Sequence, residues 1–299
     1  MATDRPAVTI AIPVYNGAAY IAGAVQSAQS QDVEDWELIV ADNASTDDTV
    51  EIVRDLAAAD DRIRLIPSVV NQGAAWNWNR CVLEARAPLF NWLCVDDLLA
   101  PTHTRRCMEA LSAAGPEAVM AYPDAILIDG DGAETERYTD RLDLTRPDVP
   151  GRVEELMTRL ELINPLLSLI RTDALKRTRL LQGFAQADIV LLLELMLQGR
   201  AAKVDEPLFY RRRHESSTML AHTSSDGLDQ FYSPKARSTG FPTWRLVRSM
   251  SEAVAQAELS PTDRAMAIGL LGKTRYRKRL WREARDAALA ARRRATTSA

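Results

Sequence analysis

The chain has 299 residues, 46% of them hydrophobic and 26% charged, with a net charge of −4. That length supports a full hydrophobic core, and nothing in the overall charge balance points to nucleic-acid binding. Three cysteines, Cys81, Cys94 and Cys107, lie in apolar runs and read as reduced thiols of a core, not as a disulfide framework.

No apolar run approaches the ~18 residues of a membrane span. Residues Met1 to Pro6 lack a signal-peptide pattern. The expectation is a cytoplasmic protein.

In chain order, Val8 to Ile12 reads as a strand stopped by Pro13, followed by a helix over Ala18 to Gln31. A second strand, Glu37 to Ala41, precedes a helix from Asp47 to Ala59. Ile63 to Ile66 and then Ala74 to Arg86 repeat the alternation. A buried fourth strand runs from Pro88 to Val95, with a helix over Pro101 to Ala114. Strands alternating with helices of this length imply a mostly parallel sheet flanked by helices, Rossmann-like in its crossovers. No Gly-x-Gly-x-x-Gly follows Ile12, which argues against a classical dinucleotide-binding fold.

Farther on, Ala118 to Tyr122 and Ala125 to Ile128 read as strands, and Asp129 to Gly132 as a turn. Residues 133–151 are polar, with Pro147 and Pro150, and read as a loop. Helical spacing returns at Arg152 to Leu162 and at Ala187 to Gln198, the latter ended by Gly199. Ala201 to Val204 and Leu208 to Arg212 resemble a closing strand pair. Composition then divides the chain into 1–218, a Ser/Thr/Asp/Gly-rich linker over 219–242, and a helical C-terminal extension over 243–299. Within that extension, Thr243 to Ala257, Pro261 to Leu271 and a basic stretch, Thr274 to Arg294, are helical. The basic stretch reads first as a solvated helix face. Contact with anionic lipid at a membrane surface, or pairing of two copies through these helices, is the alternative.

The residues with chemical potential sit mainly where strands end, the edge at which open α/β sheets bind ligands. Asp96 and Asp97 are adjacent carboxylates after the fourth strand. They repel each other unless a cation stands between them and a ligand, and a divalent ion on a diphosphate meets that need; a helix cap is the plain alternative. Pro13 to Asn16 form a loop that can present Tyr15 to a flat ring, or a simple turn. Asp42 is placed to accept from the imide N–H of a base, and Ser45 or Thr46 to cap the next helix. Asn71, Gly73, Asn79 and Arg80 can line a ribose or phosphate, or belong to a helix packed on the sheet through its tryptophans. Far downstream, Asp188 starts a helix, and Arg211, Arg212 and Arg213 precede His214, a set suited to an anionic, metal-bound ligand.

As an ordered set, Pro13-Val-Tyr-Asn16, Ala41-Asp-Asn-Ala-Ser-Thr-Asp47, Asn71-Gln-Gly73, Val95-Asp-Asp-Leu-Leu-Ala-Pro101, Ala187-Asp188 and Tyr210-Arg-Arg-Arg-His-Glu-Ser216 resemble family-two glycosyltransferases over residues 7 to 218. The resemblance implies a GT-A fold, a nucleotide-diphospho-sugar donor, Mg²⁺ or Mn²⁺, and inversion at the anomeric carbon. It implies that Pro13, Tyr15, Asn16 and Asp42 hold the base. Asn71, Gly73, Asn79, Arg80 and Arg211 then lie along the nucleotide and diphosphate. Asp96, Asp97 and His214 form the metal end, and Asp188 is the general base. UDP is the default donor nucleotide, since one carboxylate reading an imide suits uracil, and dTDP presents the same edge.

The acceptor hydroxyl then belongs to a glycan, a lipid-linked sugar or a small natural product. Cys94 stands where many members carry a first acid, and Ala187 where an acidic neighbour is common. Those two departures motivate the alternative of a non-catalytic sugar-nucleotide binder. A nucleotidyltransferase is disfavoured because the loop after the first strand lacks the Gly-rich run ending in Arg and Lys.

Overall fold

The computed structural model describes residues 5–139, 141–214, 225–234, 241–272 and 283. Its strands are β1 (Val8–Val14), β2 (Trp36–Asp42), β3 (Ile63–Pro67), β4 (Leu89–Trp92), β5 (Leu98–Leu99), β6 (Ala118–Ile128), β7 (Glu134–Tyr138), β8 (Leu169–Arg171) and β9 (Arg200–Arg212). Helices α1 (Ile21–Gln29), α2 (Thr49–Ala59), α3 (Ala74–Glu84), α4 (His103–Ala114) and α5 (Val149–Arg159) precede a 3₁₀ turn, Asn164–Leu167. Then come α6 (Thr172–Lys176), α7 (Ala187–Gln198), α8 (Ser225–Tyr232), α9 (Pro242–Gln256) and α10 (Pro261–Gly272).

One nine-stranded sheet runs β3-β2-β1-β4-β8-β6-β9-β5, with β7 hung on β6. The four strands from β3 to β4 are parallel. Beyond them β8 is antiparallel to both neighbours, and β9 lies parallel to β6 but antiparallel to β5. β1 and β2 are buried at every position, as strands covered by helices on both faces must be.

Several boundaries differ from the sequence expectation. Pro13 does not stop β1; one residue from the strand end it forgoes a single ladder donor, and Val14 still pairs with Asp42. β4 ends three residues early. Leu93 N–H donates to the Ala11 carbonyl (2.9 Å), and the chain then folds back so that Asp97 N–H meets the Cys94 carbonyl (3.1 Å). β6 and β9 each run unbroken through a proline, Pro123 and Pro207, where the register shifts around Asp124 absorb the interruption. The polar stretch 133–151 contains the exposed strand β7 and the start of α5, whose Asp148 side chain accepts from Gly151 N–H (2.7 Å). The expected linker 219–242 contains α8. The expected helix Thr274 to Arg294 falls outside the described residues except for Glu283, whose carboxylate accepts from Thr243 N–H (2.9 Å) at the first turn of α9.

The loops after β1, β2 and β3 are stitched into one unit by side chains. Asn43 donates to Asn71 Oδ1 (2.9 Å) and the Gly73 carbonyl (3.2 Å), and its own oxygen accepts from Gln72 N–H (3.0 Å). Asn77, buried on α3, donates to the Ala41 carbonyl (2.6 Å). Asn16 Oδ1 accepts from Thr46 N–H (2.8 Å), while Asn16 N–H donates to Ser45 Oγ (2.8 Å). Truncating Asn43 to alanine removes three hydrogen bonds that join the loops after β2 and β3. Asn43→Ala is therefore expected to lower unfolding stability by about 1–3 kcal/mol in urea titration.

Candidate functional site

The turn after β4 is the electrostatic centre of the carboxyl edge. It folds back at Cys94, so Asp96 and Asp97 are presented together, and Cys94 Sγ and one oxygen of each carboxylate lie within 4.8 Å of one another. Asp97 is only 4% exposed. Its Oδ1 accepts from Arg212 N–H at 2.8 Å, and the Cys94 thiol donates to it.

Burial, then the Asp96 charge, pushes the Asp97 carboxyl up to about 8, against the pull of Arg211 and the Arg212 amide. Burial likewise drives the Cys94 thiol well above its ordinary range. Cys94 is thus a protonated, neutral neighbour and not a hard ligand.

The end of β9 supplies the other half. Because β9 pairs with both β5 and β6, its last residues emerge beside the β4 turn. Arg212 Nε donates to the Asp96 carbonyl (2.8 Å), and its Nη1 to the carbonyls of Asp129 (2.9 Å) and Gly130 (3.0 Å), which clamps the turn. His214 Nε2 lies 3.1 Å from Asp96 Oδ2. Tyr20 holds this corner from α1's side: the imidazole centroid is 5.0 Å from its ring, and the Arg212 guanidinium is 4.9 Å from the same ring. Arg211 points elsewhere, donating to Asn164 Oδ1 at 2.6 Å.

Its charge acts on Asp97, on Cys94 and also on Asp188. Asp188 stands in the first turn of α7 and accepts from Ile189 N–H (3.0 Å). Burial raises its pKa, opposed by backbone N–H groups and Arg211. An ionised carboxylate in that setting is a stronger proton acceptor than an exposed one.

The structure therefore brings Asp96, Asp97 and His214 together at the turn after β4, and the Arg211 charge favours the ionised form of both Asp97 and Asp188. It gathers Pro13, Tyr15, Asn16, Asp42, Asn71 and Gly73 along the adjoining laced loops, with Tyr15 about half exposed. Two of these residues have structural duties that the sequence does not show. Asp42 is 1% exposed, and its carboxylate accepts from Ala44 N–H (3.1 Å) and Ser45 N–H (3.2 Å), which organises its own turn, with Ala44 at φ 66°. Asn79 pairs with the backbone of Leu181, donating to its carbonyl (2.9 Å) and accepting from its N–H (2.8 Å). It ties α3 to the loop before Asp188. Arg80 donates to the Pro67 carbonyl (3.0 Å) and lies over Trp76, at the end of β3 next to Asp42.

Sequence reasoning misses the roles of Arg212, Tyr20 and Asn164. Arg212 is visible beside Arg211, but only the β9 register assigns it to the turn. Nothing in the local sequence marks Tyr20 or Asn164.

A divalent cation fits this set. Asp96 and His214 offer partly open O and N donors, and the buried Asp97 carboxyl lacks a neutralising charge of its own. For Asp97 the sign follows from its raised pKa: it stays protonated in the folded chain to about pH 8, while an unfolded carboxyl releases its proton near ~3.9. The folded state binds more protons across that window, so metal-free stability falls as pH rises through it. In EDTA at pH 8, Asp97→Asn is expected to raise unfolding stability by about 1 kcal/mol or more, with the difference vanishing near pH 4; thermal melts at the two pH values read it directly.

The Glycosyl transferase family 2 pattern matches residues 9–165. The chain is 36% identical over 104 residues to a chondroitin synthase of Escherichia coli, covering 35% of this chain and 15% of that protein. It is 34% identical over 125 residues to the succinoglycan biosynthesis protein ExoO of Rhizobium meliloti (strain 1021), 42% of this chain and 35% of that protein. The matched stretch thus spans well under half the length of either relative. Among solved structures, S. aureus TarS 1-349 in complex with UDP-GlcNAc superposes with a TM-score of 0.62 at 15% identity, over 87% of this chain and 70% of that one. The shared architecture is the GT-A fold.

Proposed function

The chain belongs to glycosyl transferase family 2, and from that premise we propose that it transfers a sugar, with inversion, from a uridine diphosphate donor to an acceptor hydroxyl. One observation carries this reading: the turn after β4 presents Asp96 and Asp97 together, with His214 Nε2 3.1 Å from Asp96, while a second carboxylate, Asp188, stands in the first turn of α7. A displacement that leaves a diphosphate at one end and deprotonates an acceptor at the other needs that arrangement.

The nucleoside would lie along the laced loops, with Tyr15 at the mouth and Asp42 fixing the Ala44–Ser45 backbone beside the base. Asn71 and Gly73 would line the ribose side. Mg²⁺ or Mn²⁺ would be held by Asp96 and His214 with Asp97 behind them, and when bound it neutralises charge on the departing diphosphate. Arg211 adds positive charge to that end. Asp188 accepts the proton of the attacking hydroxyl on the opposite face of the sugar, help typically worth ~10²–10⁴ in rate.

The relatives' names, a chondroitin synthase and a succinoglycan biosynthesis protein, support a saccharide acceptor. UDP-hexoses come first in the donor test because TarS, on the same fold, holds UDP-GlcNAc.

The test is UDP release from a panel of UDP-hexoses, with the anomeric configuration of the product read by NMR. Activity is expected with Mn²⁺ or Mg²⁺ and lost in EDTA. Asp188→Asn is expected to lower kcat by about 10²–10⁴ with UDP affinity unchanged; full activity in that variant would remove Asp188 as the base. Metal-dependent UDP binding with no turnover of any donor would favour the non-catalytic alternative.

A further inference from the structure

β9 ends in adjacent arginines, and neighbouring side chains on a strand leave opposite faces. Arg212 clamps the acidic turn. Arg211 directly precedes the amide that donates to Asp97 Oδ1 at 2.8 Å, so its own backbone stands beside that turn. Its side chain crosses instead to the 3₁₀ turn Asn164–Leu167, where Nη1 donates to Asn164 Oδ1 (2.6 Å). Among the described residues no ion pair reaches Arg211. Arg179 and Arg245, by contrast, face the carboxylates of Glu194 and Asp229.

The turn that holds Arg211 is buried at all four of its residues. It packs against β4, β6 and α7, and Asn91, buried on β4, donates to the Leu167 carbonyl (3.4 Å). β4 leads into the acidic turn, and α7 carries Asp188 in its first turn. The anchor of Arg211 is therefore braced by both elements that present the carboxylates. Asn164 itself is 3% exposed, and its Nδ2 is buried with no hydrogen-bond partner among the described residues. Burying an unpaired amide donor costs stability. An aspartate of the same shape would carry no orphan donor and would bond Arg211 more strongly. It would also cancel the charge. The neutral oxygen fixes the guanidinium and leaves that charge whole, in keeping with the pull of Arg211 toward the ionised forms of Asp97 and Asp188.

We propose that Asn164 is a positioning residue of the transfer: its neutral amide oxygen holds the Arg211 guanidinium beside the acidic turn without cancelling its charge, which then acts on the departing diphosphate. This rests on the donor reading given above and deepens it. A cation already fixed where negative charge develops needs no reorganisation during the reaction. Asn164 touches neither donor nor acceptor, and its effect passes through Arg211 alone.

The experiment compares Asn164→Asp, Asn164→Ala, Arg211→Ala and the Asn164→Ala/Arg211→Ala double variant with the parent. The readouts are steady-state kinetics with the preferred UDP-hexose and Mn²⁺, inhibition by UDP and by uridine, and thermal melts. Asn164→Asp is expected to melt no lower than the parent, yet to lower kcat/KM about tenfold and weaken inhibition by UDP about tenfold. Inhibition by uridine, which has no diphosphate, is expected to stay unchanged. Asn164→Ala is expected to show the same loss in the parent and none in the Arg211→Ala background, because the two residues act as one. The isosteric aspartate carries the comparison if alanine unsettles the fold. Parental kinetics in Asn164→Asp, additive losses in the double variant, or equal loss for UDP and uridine would each overturn the proposal. Failure of the parent protein to bind UDP with Mn²⁺ would overturn the donor reading first, and the Asn164 assignment with it.

Discussion

Two carboxylates on consecutive residues, one of them nearly buried, set the condition that the rest of the site answers. Asp97 cannot ionise cheaply beside Asp96 and out of water, and no positive charge on its own turn relieves it. Relief comes from β9, a strand more than a hundred residues away, which supplies the Arg212 amide to Asp97, the Arg212 guanidinium to the Asp96 carbonyl and His214 to the Asp96 carboxylate. The β9 register is therefore an electrostatic requirement as well as a packing one. A one-residue slip would still bring an arginine to the acidic turn, but it would take His214 from Asp96 and Arg211 from Asn164.

The N-terminal half meets a different constraint. Three loops leave three parallel strands at one edge, each with backbone donors and acceptors that the sheet no longer satisfies. Short amide and hydroxyl side chains satisfy them: Asn16, Asn43, Ser45, Asn71 and Asn77 bond mostly to one another's loops. Rigid loops of this kind can hold a flat base and ribose without reordering on binding, which lowers the entropy cost of association.

Much of this architecture is legible in the amino-acid sequence. The parallel β1 to β4 core and its helices follow from period and length, and α7 matches its expected bounds because Gly199 stops it. The ordered motifs locate the acidic turn, Asp188 and His214. What the sequence hides is tertiary. β8 is three residues long and owes its existence to β4 and β6 on either side. α8 has a linker's composition and is held through its buried Asp229. Asn79 and Asp42 carry the side chains a ligand would want, yet they serve backbone that lies about a hundred residues away in one case and two in the other. Sequence identifies a polar side chain; only topology says whether a neighbour has already taken it.

That distinction matters most at Asp188. Gln186, at the start of α7, adopts a left-handed φ of 68°, a conformation that costs about 1 kcal/mol or more outside glycine. It persists because the loop before it is held from both sides: Asn79 fixes Leu181 through two hydrogen bonds, and Asp229 fixes Ala185. Asn79 belongs to α3, which begins at Gly73 on the nucleotide loops, and Asp229 belongs to α8, which ends against that same glycine. The loop that carries Asp188 is thus held by two separate sets of contacts, one through α3 and one through α8, and both lead back to Gly73.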